Sequence, residues 1–297
     1  MRLMRHLAQL LALCASLLAA TGNGQPRVLI LGDSIAYDGR WTSRVESALR
    51  ATPAYADAAI INLALPSETA SGLSEPGHAS GTYPRPCVHD RLAEALKQIK
   101  PTLVLACYGM NDGIYQPFDD ANFAAYKQGM ERLVAACRTA GARVILITPP
   151  LHGADKTKTS PQDYDNVLEA YSGWLNSKTL MGWEVIDIRP ALRNAVDAER
   201  SRSRSFRYAQ DNVHPGDVGH QAIGDAVLAG LWPLLKLPGK PDVGSSARIR
   251  TISEAQQLLK LAWLAQVGHK RPGIPKGLST EEAGQKAAAL LEKAKAL

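Results

Sequence analysis

The stretch RVLILGDSIAYDG, residues 27–39, decides how the chain is read. Four apolar residues, Val28 to Leu31, run straight into Gly32-Asp33-Ser34. A short continuous apolar run bounded by turn residues suits a strand buried on both faces, as in a parallel sheet. Glycine, aspartate and serine are ordinary turn formers, so the tripeptide is explained as a strand end. It is equally explained as a serine delivered to the carboxyl end of a strand, where open α/β sheets bind their ligands. The remainder of the chain has to separate a turn from a nucleophile.

Working outward, apolar runs alternate with helical patterns. Residues 59–63, 102–108, 144–148 and 183–188 read as further strands. The third of these five runs, TLVLACY at 102–108, is continuously apolar. Residues 42–50, 88–100, 123–140, 164–177 and 219–232 carry helical spacing, and Gly141 ends the longest of them. This alternation predicts a three-layer α/β/α domain with a parallel, flavodoxin-like sheet. The segment LPGKPDVGSS is rich in proline, glycine and serine and reads as the start of a linker, 237–250. Beyond it, residues 251–297 read as a small helical C-terminal extension, with Ser279 or Thr280 as the N-cap of its last helix. The main domain is expected over 26–236.

The 297 residues are 45% hydrophobic and 21% charged, the balance of a globular protein. The net charge of +6 is partly local, in the arginine-rich run at 193–207. That run reads as a solvated loop, and without an aromatic-rich basic module no nucleic-acid partner is expected. At the N-terminus, Arg2, Arg5 and His6 precede the apolar stretch 7–20, and small residues come after it. The pattern predicts a signal peptide over 1–22, export to the periplasm or the outside, and no stable membrane insertion after cleavage. An uncleaved anchor is the alternative, although the apolar run is short for a membrane span. Leu13 before Cys14 argues against lipidation. Cys87, Cys107 and Cys137 then remain, too few and too widely spaced for a disulfide framework or a zinc site. One bridge through Cys87 stays open.

The residues suited to chemistry sit just past the strand ends. Gly32-Asp33-Ser34 lies after the first strand, and NLALPSET, 62–69, after the second. GMND, 109–112, lies after the third, and DNVH, 211–214, comes after the last. Serine, aspartate and histidine are the residue types of nucleophilic acyl transfer. His78, His89 and His152 lack the spacing of a metal site, and His220 reads as a surface or capping histidine. Asp33 reads as a turn brace, and Asp112 reads equally as a site residue or as a structural one bonded to backbone around it. Tyr108, Met110 and Tyr115 read as packing residues, with one of them available to line an acyl pocket. Part of the long Gly-, Ser- and Pro-rich loop 66–87 is expected at the substrate mouth.

The GDS, GMND and DNVH blocks, in this order, resemble those of the SGNH hydrolase superfamily, the GDSL esterases and lipases, over roughly residues 27–235. The resemblance implies Ser34 as nucleophile, His214 as general acid–base and Asp211 as its orienting carboxylate. It further implies an oxyanion hole from the backbone N–H groups of Ser34 and Ala64 and the Asn111 side chain. Ala64 stands where the family's second block usually has a glycine. No metal and no cofactor are implied. The expected activity is hydrolysis of short-chain acyl esters, O-acetyl in particular, on carbohydrate or a small molecule. A lipase, lysophospholipase or thioesterase on longer chains is the alternative within enzymes. An acyltransferase, and a binding protein disabled at Ala64 or by the extension, are the others. The oligomeric state is left open.

Overall fold

A computed structural model describes residues 24–153 and 164–297. The predicted signal peptide lies outside the described residues. Five parallel strands form one sheet in the order β2-β1-β3-β4-β5. They are β1 (Arg27–Gly32), β2 (Ala59–Asn62), β3 (Leu103–Cys107), β4 (Arg143–Ile147) and β5 (Glu184–Ile186). This is the flavodoxin-like order, so the chain leaves β1 to one side for β2 and returns across it to β3. Every β3 residue is buried, as the uninterrupted apolar run requires.

Right-handed crossovers in the two directions put helices on both faces of the sheet. A four-residue helix, α1 (Ser34–Tyr37), leads from β1 to α2 (Arg40–Arg50). Then come α3 (Leu92–Ile99), α4 (Asp120–Thr139), α5 (Tyr164–Ser177), α6 (Arg189–Arg202) and α7 (Asp217–Leu234). Helix α2 packs on α7 on one side, while α3 packs on α4 on the other. Tyr126 of α4 stacks on Tyr171 of α5, with ring centroids 4.2 Å apart.

Two sequence expectations need correction here. The arginine-rich run is not a loop: most of it lies in α6, whose Leu192 and Val196 are buried one turn apart. The arginines hide that apolar stripe, because they surround it in the sequence. His220 is not at the surface either. It is 2% exposed in the first turns of α7, and burial pushes its pKa down to about 4. Its Nε2 lies 3.6 Å from Asp38 Oδ1. The cysteines Cys87, Cys107 and Cys137 are all free thiols, so no bridge forms through Cys87.

The C-terminal segment forms α8 (Ser246–Val267) and α9 (Thr280–Lys295). Helix α8 begins inside the expected linker, capped by Ser245, whose hydroxyl accepts from Arg248 N–H. Ser279 caps α9 through a reciprocal capping box with Glu282. Helix α8 packs against α2 and β2 rather than standing apart. Its Gln256 is buried and bonds directly to the main domain. Thr42 Oγ1 and Asn62 Nδ2 donate to Gln256 Oε1, at 2.5 and 3.2 Å, and Gln256 Nε2 donates to Glu46 Oε2 at 2.7 Å. Glu46 is itself held by Arg50 Nε at 2.8 Å. One turn on, the buried Lys260 ammonium donates to the Tyr37 carbonyl and lies 4.0 Å from the Tyr37 ring centroid. Desolvation lowers the Lys260 pKa to about 8.

A buried acceptor stripped of its donor costs about 1–3 kcal/mol. Gln256→Leu leaves Glu46 Oε2 without its donor and is expected to destabilise the whole protein by about that amount, read as a lowered midpoint in urea unfolding. A change confined to the last two helices, with the main transition unmoved, would show that the segment is an independent unit.

Candidate active site

The site assembles where the chain reverses direction, between the carboxyl ends of β1 and β3. Gly32 pairs with Cys107, and a Cβ on Gly32 would sit 2.9 Å from both Ala36 Cβ and the Cys107 carbonyl oxygen. Only glycine lets β1 turn this sharply into α1. Asp33 caps α1, its Oδ1 accepting from Ile35 N–H at 2.9 Å. Ser34 is thereby fixed at the first helical position. Its N–H meets no acceptor among the described residues.

Ser34 Oγ lies 2.8 Å from His214 Nε2, and His214 Nδ1 lies 2.6 Å from Asp211 Oδ2. The other oxygen, Asp211 Oδ1, accepts from the backbone N–H groups of Val213 and His214 at 2.9 and 2.8 Å. Burial alone would raise the Asp211 pKa, but the His214 side chain and these two N–H groups together hold it down at about 2. A carboxylate ionised at all working pH values accepts from Nδ1–H. Nε2 is then the free acceptor, and the Ser34 hydroxyl donates to it. Arg40 joins the two ends of this chain: it holds Asp38, just past α1, and Asp217, just past the His214 loop, each at 2.6 Å. The His214 side chain is 49% exposed, so water reaches it.

The three loops are tied to one another. Leu65 N–H donates to the Gly32 carbonyl at 2.9 Å, and Asn111 Nδ2 donates to the Glu68 carbonyl at 3.1 Å. Glu68 is buried and paired with Arg91, at 2.7 and 2.6 Å, and it accepts from Tyr108 OH at 2.6 Å. Asp112 Oδ1 accepts from the Ala70 and Ser71 N–H groups at 2.8 and 2.7 Å, backbone contacts that tie the second loop to the third. Burial raises the Asp112 pKa to about 6. Asn111 Oδ1 accepts from Arg85 Nη1 at 2.9 Å and from Tyr115 OH at 3.1 Å. A guanidinium has only donors, so the amide orientation of Asn111 is determined: its NH₂ faces away from Arg85. Arg85 brings the loop 66–87 to the site.

Ala64 does not supply the expected backbone donor. Its N–H is already taken, at 2.9 Å, by Asn62 Oδ1 in an Asx turn, and the residue is fully buried. Further along the loop, Leu65-Pro66-Ser67-Glu68 forms a tight turn closed by Glu68 N–H to the Leu65 carbonyl at 3.2 Å. Pro66 stands at its second position and Ser67 at its third, with φ of 67°. That is the pattern of a type II turn, which calls for a left-handed residue at the third position. Ser67 N–H meets no acceptor among the described residues, whereas Ala64 N–H does. The Pro66-Ser67 pair carries the signal, but serine stands where glycine normally marks such a turn.

Among the described residues no group of His, Cys, Asp and Glu could hold a metal ion, and no helix is long and apolar enough to cross a membrane.

These contacts predict two outcomes. In Asp211→Asn, the Val213 and His214 N–H groups still select the side-chain oxygen, so the amide NH₂ faces His214 Nδ1. The imidazole must take the other tautomer, with Nε2–H toward Ser34, and kcat is expected to fall by about 10⁴. Asp33 supplies the second. Burial, above all, raises its pKa from 3.8 to about 7, so folding favours its neutral form. Stability from this group is fully present below about pH 4 and is lost as pH rises from about 4 to about 7. Asp33→Asn keeps the cap acceptor but cannot ionise. Its melting temperature should therefore rise relative to the parent across that window, with no gain below about pH 4.

Comparison with known proteins gives the family. The family model of GDSL-like lipases and acylhydrolases matches residues 30–222. No curated protein matches the sequence. Among solved structures, a catalytic mutant of Axe2, an acetylxylan esterase from Geobacillus stearothermophilus, aligns with a TM-score of 0.53 at 18% identity, over 70% of this chain and 94% of that one. LAE5, an α/β hydrolase from the metagenome of Lake Arreo, aligns at 0.51 and 19% identity, over 69% and 94%. A gut microbial diltiazem-metabolizing enzyme aligns at 0.54 and 17%, over 69% of this chain but 46% of that one. At these identities the likeness is one of fold. The chain belongs to the GDSL-like lipase and acylhydrolase family and is a carboxylic ester hydrolase.

Proposed function

We propose that this protein is an exported serine esterase that removes short acyl groups, acetyl first among them, from carbohydrate. The observation that carries the reading is the continuous hydrogen-bonded chain from Ser34 through His214 to Asp211. A serine hydroxyl is a poor nucleophile until a neighbouring base takes its proton. Here the base is in place and its tautomer is set from behind.

As Ser34 Oγ bonds to the ester carbonyl carbon, its proton passes to His214 Nε2. The carbonyl oxygen becomes an oxyanion, met by the N–H groups of Ser34 and Ser67 and the free Asn111 Nδ2–H. The tetrahedral centre collapses, His214 gives its proton to the departing alkoxide, and the acyl group stays on Ser34. Water then repeats the sequence, losing a proton to His214 as it adds. Expulsion of Ser34, which takes the proton back, releases the carboxylic acid. The exposure of His214 favours water as the second nucleophile over a competing alcohol. The binding-protein alternative rests on Ala64 or on the extension covering the mouth; Ala64 is engaged elsewhere, and the half-exposed His214 side chain speaks against a covered mouth.

The substrate class draws on two supports. An acetylxylan esterase shares the fold, and the N-terminal pattern fits export toward polymeric substrates. The test is turnover of p-nitrophenyl esters from acetate to octanoate, alongside acetylated xylo-oligosaccharides. Acetate is expected to give the highest kcat/KM, and Ser34→Ala to lower kcat by about 10⁴-fold or more. A maximum at octanoate would transfer the protein to the lipases. Turnover that survives Ser34→Ala would remove the serine mechanism.

A further inference from the structure

Both Ser67 N–H and the Asn111 amide, two donors of the oxyanion hole, carry an arginine on their carbonyl side. Ser67 N–H belongs to the peptide unit whose oxygen is the Pro66 carbonyl. That oxygen accepts from Arg271 Nε at 3.0 Å. Asn111 Nδ2 belongs to the amide whose Oδ1 accepts from Arg85 Nη1 at 2.9 Å. Each guanidinium is held in place by further contacts. Arg271 Nη1 donates to the Pro272 carbonyl at 2.5 Å, and its Cζ lies 5.5 Å from the Tyr83 ring centroid. Arg85 is clamped by Glu75 through two bonds of 2.7 and 2.6 Å, and its Cζ lies 5.2 Å from the Tyr115 ring centroid.

We propose that Arg271 and Arg85 are positioning residues of the oxyanion hole, each orienting and polarising one amide donor from behind. The proposal rests on the serine-esterase reading. Its physical basis is the cooperativity of hydrogen-bond chains: an amide whose oxygen accepts a charged donor has a more positive N–H. Orientation matters as much. Turning the Pro66–Ser67 peptide over would break the Arg271 contact, and turning the Asn111 amide would set NH₂ against a guanidinium. Ser67 holds a left-handed backbone without being glycine, so that peptide has reason to turn over when released. Arg271 also gives the C-terminal segment a part in the reaction. It lies between α8 and α9, outside the residues that the family model matches, and it reaches the loop carrying Ser67 across a separation of 205 positions. Lys270, its neighbour, fastens the same stretch to Asp90 at 3.0 Å.

Arg271→Met, Arg271→Gln and Arg85→Met are to be compared with the parent for kcat and KM on p-nitrophenyl acetate, with thermal unfolding recorded for each. Because the oxyanion forms only in the transition state, kcat should fall while KM stays within about twofold. Loss of polarisation at a donor that remains present should lower kcat roughly tenfold, less than the roughly 10²–10³ that loss of a whole donor causes. Arg271→Gln keeps a neutral donor and should fall between parent and Arg271→Met; it also carries the test if the methionine variant is poorly folded. The background of Asn111→Ala separates the two arginines. There, Arg85→Met should cause no further loss, while Arg271→Met should cost its full factor. Folded Arg271 variants with parental kcat would overturn the assignment, as would a loss confined to KM. An Arg85→Met loss undiminished in the Asn111→Ala background would overturn its half. If the parent itself shows no turnover dependent on Ser34, the esterase reading fails first, and that result is visible before any arginine is changed.

Discussion

The pairing of β1 with β3, ending at Gly32 opposite Cys107, is the constraint on which the site depends. It brings the carboxyl ends of two strands together at the one place where the chain leaves the sheet in opposite directions. Strand β1 leads into Ser34 and β3 into the loop bearing Asn111, so the proposed nucleophile and one proposed donor meet by topology before any side chain is chosen. Hydrogen bonds then close the remaining gap, from Leu65 N–H to Gly32 and from Asn111 to the Glu68 carbonyl. The last partner, His214, is far away in sequence and is delivered by the loop ahead of α7. Arg40 binds that loop back to the end of α1.

The same loops carry charges that burial disfavours. Glu68 and Arg91 are nearly devoid of solvent contact, and such a pair roughly offsets its own desolvation rather than adding stability. What it contributes is direction. Arg91 holds Glu68 by both carboxylate oxygens and also donates to the Leu63 carbonyl at 2.6 Å. The backbone from 63 to 68 is thus fixed at both ends, with the Pro66–Ser67 turn between them. A protein selecting only for stability would gain by replacing these charges with apolar side chains. It would lose the geometry of the turn.

Much of this is legible in the sequence. Buried parallel strands announce themselves as continuous apolar runs, and the GDS, GMND and DNVH blocks in order are hard to produce by chance. Ser34, Asn111, Asp211 and His214 are readable in this way; hydrogen bonds join Ser34, His214 and Asp211, and Asn111 lies on the loop after the neighbouring strand. Ala64 misleads because a sequence gives the residue after a strand but not which N–H is left unpaired; the Asn62 side chain decides that. Ser67 stays hidden because serine in a left-handed conformation has no sequence mark of its own. Helix α6 escapes notice because arginines surround a short buried stripe, Leu192 and Val196. The contacts of Gln256, Lys260 and Arg271 join positions far apart in the chain, and no local pattern encodes them.

Those long-range contacts change the status of the C-terminal segment. As a sequence it looks like an appendage, separated from the main domain by a Pro- and Gly-rich stretch. In space it touches helix α1 at Tyr37, the base of the second loop at Asn62, and the Pro66–Ser67 turn at Pro66. Each contact is made by a polar side chain, and those at Tyr37 and Pro66 reach backbone carbonyls. A segment recruited only to cover apolar surface would have no need of a buried glutamine and a buried lysine there. Apolar residues would do that work without desolvation cost. The choice of polar groups makes sense only if the backbone they hold must be held in one orientation. In this molecule that backbone is the frame of the proposed oxyanion site.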